Sequence, residues 1–515
     1  MKPCSRTWHR VWPKGVPLEL DYPEMTLYEV VRDHARRKPL KCAVVQAETG
    51  YGYTYIELVR AASRVAEWLH SSGVEPGGQV LFSSFNTVES VAGFLGISAA
   101  GAAAVLVDPL TTSEDLKFQI AGREIKAAVL HPEFYEREKR ILEEAGIDRI
   151  LVLSLRPREG WEASTLRDVM KLRGEEARSR LDPARSTGMV LYYSGIAGRT
   201  MQTFHSHASI VWAAMATGAM ARVDENMCSL VVAPITHVLG LQVSLATALV
   251  VGGTAVIMQR WDQGLAARAI EDYGVTLITG APMIYHGLLE ELSKGGYEYS
   301  SLRLAVSAGA PLDPALQVLF KERLGVPLVQ AYGMTETMLL TMQPQALSKV
   351  TGTVGIPLPD VDVKIVDPEN PSEERGVGEP GELLVKAPWL MLGYEDPSEA
   401  EKVFLDGWLR TGDLLEMDEN GLLYFRGVRK RMIKYKAYPI FPRDLELILE
   451  SHPAVERAYV YGELDPEVGQ KPVAKVVLKP EYRSSVTADE LMSYVNSRVA
   501  FYKKIRRIEI VDRIE

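Results

Sequence analysis

Short β-rich runs alternate with helix-patterned stretches through the first two thirds of this 515-residue chain, and that alternation constrains the fold more than any other feature. The β-rich runs lie at 79–83, 102–107, 127–130, 150–153, 230–233, 254–258, 277–278, 302–307 and 328–331, with helical spacing between them at 56–72, 113–120, 265–273 and 312–324. Apolar strands separated by helices imply parallel sheets wound by crossovers. The expected fold class is therefore α/β, with a large N-terminal domain of wound parallel sheets. After Gly352 the texture turns to short strands punctuated by Pro and Gly, which predicts a small barrel-like subdomain over about 352–426. From Pro442 a helix, two strands, a further helix at 488–498 and a strand at 507–511 predict a small α+β C-terminal domain. The domains expected are 1–426 and 427–515.

Composition narrows the function classes. The chain has 58 Lys and Arg against 67 Asp and Glu, a formal charge of −9, which argues against nonspecific nucleic-acid binding. Cys4, Cys42 and Cys228 are the only cysteines, too few for a disulfide framework or a Cys-rich zinc site, so a reducing, cytoplasmic compartment is expected. Two uncharged runs, 90–107 and 229–259, are long enough to span a bilayer, but Gly101 breaks the first, and Pro234, His237, Gly240 and Gly252-Gly253 break the second. Both are expected in a protein core, and no transmembrane segment or export signal is expected.

Four segments could carry chemistry. Tyr332-Gly333-Met334-Thr335-Glu336-Thr337 follows a strand, where a hydroxyl and a carboxylate can face a phosphate and its Mg²⁺; a turn with a solvated Glu would read the same. Upstream, Ser307-Ala308-Gly309-Ala310-Pro311 ends a strand in small residues that let a flat ring approach. Arg410-Thr411-Gly412-Asp413 offers a carboxylate suited to vicinal ribose hydroxyls, or a plain turn aspartate. Tyr193-Ser194-Gly195-Ile196-Ala197-Gly198-Arg199 is a Gly-spaced loop able to cradle phosphate with backbone N–H groups, and no GK[ST] follows to make it a Walker motif. His205 and His207 could hold a substrate or support that loop. His237, in an apolar stretch, is by default a core histidine.

Taken in order, these pieces resemble the adenylate-forming superfamily of acyl-CoA synthetases, nonribosomal adenylation domains and luciferases. The most specific parts are YGMTET at Tyr332, PGELLVKAPWLMLGY at Pro380, GWLRTGDL at Gly407 and GLLYFRGVRKRMIKYKAYPIFPRDLE at Gly421. The opening WPKGVPLELDYPEMTLYEVV and TYIEL at Thr54 look most like prokaryotic medium- to long-chain fatty acyl-CoA ligases. The resemblance implies that a carboxylate attacks the α-phosphate of ATP, and that a thiol, CoA, then displaces AMP. It also implies a C-terminal domain that swings between the two half-reactions. By motif position, Thr335 would contact the α-phosphate and Glu336 would hold Mg²⁺. Ser194, Gly195 and Gly198 would cradle phosphate, Gly309, Ala310, Pro311 and Tyr332 would form the adenine slot, and Asp413 would bind the ribose. His237 would line the acyl pocket, Lys434 and Lys436 would join the cofactor-binding set, and Arg431 would be the hinge.

The departures concentrate on charge stabilisation. The family's phosphate loop reads roughly S-G-T-T-G-x-P-K-G, whereas Ile196 and Ala197 stand here for both threonines, Thr200 for the proline, Met201 for the lysine and Gln202 for the final glycine. Val428 replaces a ribose-gripping Arg, and Ala437 a Gly beside the pantetheine path. The sequence ends at Val511-Asp512-Arg513-Ile514-Glu515, where the family continues toward a lysine that touches the α-phosphate. Losing one preorganised charge-stabilising group costs about 10²–10³ in rate, so impaired adenylation is expected. Two readings compete: a ligase for a medium- or long-chain acid, and a noncatalytic protein that binds AMP, acyl-adenylate or an acyl ligand. Acyl length, thiol acceptor and the choice between monomer and homodimer stay open.

Overall fold

The computed structural model describes residues 6–173, 181–192, 201–428, 433–436, 438–440, 442–482 and 485–514. Two large sheets carry the first part of the chain. The nine-stranded sheet has a parallel centre built from Leu328–Met334, Leu304–Ser307, Leu277–Gly280, Cys228–Val231, Thr254–Ile257 and Cys42–Gln46, in that spatial order. The eight-stranded sheet has a parallel centre of Thr187–Tyr192, Ala103–Leu106, Gln79–Ser83, Ile125–Leu130 and Ile150–Val152. These are the wound parallel sheets expected from the alternation. Strand Cys228–Val231 lies between its sequence successor Thr254–Ile257 and the later Leu277–Gly280. Chain order reverses there, and crevices beyond the carboxyl ends of strands at such a point are where open α/β sheets bind ligands.

Helices between the sheets are shaped by close packing. Helix Tyr55–Ser71 starts at a capping box in which Thr54 Oγ1 accepts from Glu57 N–H and the Glu57 carboxylate accepts from Thr54 N–H. It packs on Val88–Ala99, a helix buried at every position but Glu89. A Cβ at Gly96 would stand 2.4 Å from Val65 Cβ, so only glycine lets these two backbones approach.

Buried amide side chains stitch the two large sheets together ahead of His237. Asn86, after strand Gln79–Ser83, donates from Nδ2 to Ala233 O at 2.9 Å and accepts from Ile235 N–H at 2.9 Å. Gln46, from the other sheet, donates to Asn86 O at 3.3 Å and accepts from Val88 N–H at 3.2 Å. The segment leading to His237 is thus fixed by buried amide bonds. The second uncharged run then forms a π-helix, Leu239–Ala246, instead of a plain α-helix, and Ser244 and Thr247 hydroxyls bond carbonyls five residues back. No helix among the described residues is long and apolar enough to cross a membrane.

A five-stranded antiparallel sheet follows, from Asp362–Val366, Gly381–Lys386, Trp408–Met417, Phe404–Leu405 and Leu423–Val428. Two strands from the same stretch of chain pair elsewhere: Ile356–Pro357 joins the nine-stranded sheet and Gly393–Tyr394 the eight-stranded one. A last mixed sheet carries Ile433–Tyr435, Tyr438–Ile440, Val455–Asp465, Gly469–Leu478 and Arg507–Ile510, with its own apolar core covered by helices Pro442–Glu450 and Ala488–Asn496.

Candidate nucleotide and acyl-transfer site

The YGMTET segment is a hairpin, not a strand followed by an open turn. Strand Leu328–Met334 runs through Tyr332, Gly333 and Met334, then reverses into Met338–Met342. A Cβ at Gly333 would meet Met338 O at 2.0 Å, which explains the glycine, and Met338 takes a left-handed φ of +53° to close the turn. Thr335, Glu336 and Thr337 at the tip are all buried, which removes the reading of a solvated Glu.

Three other segments hold the tip. His205 Nε2–H donates to Thr335 O at 2.9 Å, Met391 N–H donates to Glu336 O at 2.9 Å, and Tyr394 OH donates to Glu336 Oε1 at 2.9 Å. His205 is fully buried and supports the tip; burial pushes its pKa down to about 4, so it is neutral. Its role and that of Tyr394 were not legible beforehand, since both depend on strand pairing of Gln202–Ser206 with Gly393–Tyr394.

Asp413 lies inside strand Trp408–Met417, beside Gly412 with φ +70°. Tyr332 OH donates to Asp413 Oδ2 at 2.8 Å, so the YGMTET and GWLRTGDL motifs meet directly. Burial raises the Asp413 pKa to about 6, with Lys434 and the Tyr332 hydroxyl opposing the rise. Burial, then Asp413, drives the Tyr332 pKa well up. The register places Val428 opposite Asp413, so the strand position that could present a cation to this carboxylate is apolar.

The cation comes from the last sheet instead. Lys434, on strand Ile433–Tyr435, has its pKa lowered by burial and supported by Asp413. It lines a small cavity of about 30 Å³ with Gly309, Ala310, Pro311, Tyr332 and Phe425. That space is large enough for water but smaller than a purine ring. A cleft of about 550 Å³ shares Ala310, Pro311, Phe425 and Lys434 and extends between Pro282, Met283, His286, Lys436, Leu464 and Gln470. Its size is in the usual range for a small-molecule site. His237 is half-buried, its Nδ1 accepting from Leu239 N–H at 3.3 Å; burial first, then Lys434, pushes its pKa down to about 4.

The structure thus gathers Gly309, Ala310, Pro311, Tyr332, Asp413, Lys434 and Lys436 around one crevice, with the Thr335–Glu336 tip on the same hairpin as Tyr332. Ser194, Gly195, Gly198, Arg431 and Ala437 lie outside the described residues. Met201, where the resemblance has lysine, is 8% exposed and belongs to the main apolar core.

Comparisons agree with this geometry. The family described as AMP-binding enzyme matches residues 31–395, and the AMP-binding enzyme C-terminal domain matches 444–515. A 4-coumarate–CoA ligase-like protein of Oryza sativa is 32% identical over 520 residues, covering 97% of this chain and 91% of the relative. A long-chain-fatty-acid–CoA ligase of Bacillus subtilis is 27% identical over 527 residues, covering 97% and 93%. The solved amide bond synthetase McbA of Marinactinospora thermotolerans superposes with a TM-score of 0.83 at 28% identity, covering 95% of this chain and 96% of its own. With the first family match alone spanning most of the chain, and the nucleotide motifs meeting in one crevice, the protein belongs to the AMP-binding enzymes of the adenylate-forming superfamily.

Proposed function

We propose that the protein is an AMP-forming acyl-CoA synthetase that activates a medium- or long-chain carboxylic acid as its acyl-adenylate and passes the acyl group to CoA. The observation that carries this reading is the contact of Tyr332 with Asp413 in a crevice that opens into an interdomain cleft lined by Lys434 and Lys436. The long-chain ligase relative supports the acyl class. In this reading residues 1–426 form the adenylating domain and 427–515 the C-terminal domain.

The acid's carboxylate oxygen attacks the α-phosphorus of ATP and pyrophosphate leaves. The thiolate of CoA then attacks the acyl carbon and AMP leaves. Asp413 accepts the ribose hydroxyls, the 309–311 turn and Tyr332 flank adenine, and Thr335 donates its hydroxyl to the α-phosphate. His237, neutral at working pH, lines the acyl side. Glu336 is a buried carboxylate, and among the described residues no cluster of three or more His, Cys, Asp or Glu side chains could hold a metal. One carboxylate suits Mg²⁺, which otherwise keeps water and substrate phosphate oxygens as ligands. Bound there, Mg²⁺ would neutralise phosphate charge.

Met201 supports the further reading that adenylation is slow, because it is an apolar, buried side chain at the motif position where the resemblance has the phosphate-binding lysine. The same observation favours a second function, a noncatalytic binder of AMP or acyl-adenylate. Pyrophosphate release with ATP, Mg²⁺ and dodecanoic acid separates them. The ligase reading expects release that Glu336→Ala abolishes. A wild-type rate equal to that of Glu336→Ala, alongside AMP-induced thermal stabilisation, would leave the binder.

A further inference from the structure

The C-terminal unit carries a buried lysine whose acidic partner belongs to the other side of the interdomain cleft. Lys503 is 6% exposed, and its Nζ stands 3.6 Å from Asp115 Oδ1 on helix Ser113–Ile120. The Asp115 side chain is 19% exposed and held in place by Thr112, whose hydroxyl donates to Asp115 Oδ2 at 3.0 Å and accepts from Asp115 N–H at 3.2 Å.

The turn before that helix is built as a rigid seat. Arg137 donates to Pro109 O at 2.9 Å and to Thr111 O at 3.0 Å, and Leu110 N–H donates to the Asp108 carboxylate at 2.7 Å. Facing the seat, Tyr438 stacks on Tyr502 with ring centroids 4.5 Å apart and planes 15° from parallel. Burial first and the Asp108 charge second raise the Tyr438 pKa.

A lysine removed from water is costly unless an anion meets it, and removing one partner of a buried pair is strongly destabilising. Here the two partners belong to different units, so the pair favours neither unit alone, only their docking in this orientation. In the same orientation Lys434 lines the small cavity beside Pro311 and Tyr332, and Lys436 lines the cleft through which an acceptor would arrive. We propose that Asp115 and Lys503 form a latch that holds the C-terminal domain in the acyl-transfer orientation, making both positioning residues for the second half-reaction. This rests on the two-step ligase reading above.

The test uses the full chain with Asp115→Asn, Lys503→Gln and the charge-swapped pair Asp115→Lys with Lys503→Asp. Three quantities are measured: ATP–pyrophosphate exchange with dodecanoic acid, single-turnover consumption of synthetic dodecanoyl-adenylate by CoA, and the electron–electron spin distance between labels at the exposed positions Arg140 and Glu456. Each single variant is expected to slow acyl transfer about tenfold or more, to leave exchange within about twofold, and to broaden the distance distribution. The swapped pair is expected to recover transfer and the narrow distribution. Equal loss of both half-reactions with an unchanged distance would overturn the latch, as would no change in either. A wild type that consumes no adenylate would defeat the ligase reading, while the spin distances would still decide the latch. Asp115→Asn leaves the C-terminal core untouched, so it answers even if Lys503→Gln misfolds.

Discussion

Tyr332→Phe removes one hydroxyl and leaves the ring, which isolates the bond to Asp413. In the wild type the Asp413 pKa is raised from 3.8 to about 6, chiefly by burial. A hydrogen bond to a charged group contributes about 1.5–3 kcal/mol, and 1.36 kcal/mol is one pKa unit, so losing the hydroxyl should raise Asp413 by roughly 1–2 units further. Carboxylate-dependent AMP binding should then have its midpoint near pH 6 in the wild type and about 7–8 in Tyr332→Phe, read by calorimetric titration with AMP from pH 5 to 9. The linkage sign gives a second readout. A raised folded-state pKa means that the folded protein holds the proton more tightly than the unfolded chain. This contribution to stability is complete below pH 3.8 and is lost as pH rises through about 6, amounting to roughly 3 kcal/mol. In the variant the loss should extend to about pH 7–8. Coincident AMP-binding midpoints for the two proteins would refute the assignment of Asp413 as the ribose-binding carboxylate tuned by Tyr332.

Other outcomes follow from the packing and the tip geometry. Gly96→Val should destabilise by at least about 1–3 kcal/mol in urea titration, because its Cβ alone overlaps Val65. His205→Leu should lower kcat for pyrophosphate release about tenfold with little change in the KM for ATP, since it frees the Thr335 carbonyl and not a nucleotide contact. Met201→Lys should raise the adenylation rate by up to about 10²-fold if a cation is the missing element, and an unchanged rate in a folded variant would place the deficit elsewhere.

The wound sheets were legible because alternation of apolar strands and helices is a local signal, and strand 79–83 lies where the sequence put it. The hairpin at Tyr332 was not, because the strand continues through residues whose pattern also suits a turn, and only pairing with Met338–Met342 decides. The individual motifs were legible, but not the Tyr332–Asp413 contact, which spans 81 positions. The support from His205 and Tyr394, and the arrival of Lys434 in the cavity beside Tyr332, depend on register and on docking between units, neither of which spacing carries. The π-helix likewise depends on hydroxyl bonds five residues back, which no periodicity announces.

The amide cross-stitch of Gln46 and Asn86 fixes the main chain at Ala233 and Ile235, immediately ahead of His237. Replacing Asn86 would therefore release the Ala233 carbonyl and the Ile235 amide together, whereas Val238, Leu239 and Val243, downstream of that anchor, can change without touching those bonds. Drift at Asn86 would loosen the main chain that leads to His237. Diversification of relatives built this way should concentrate on one side of the anchor and stay sparse on the other.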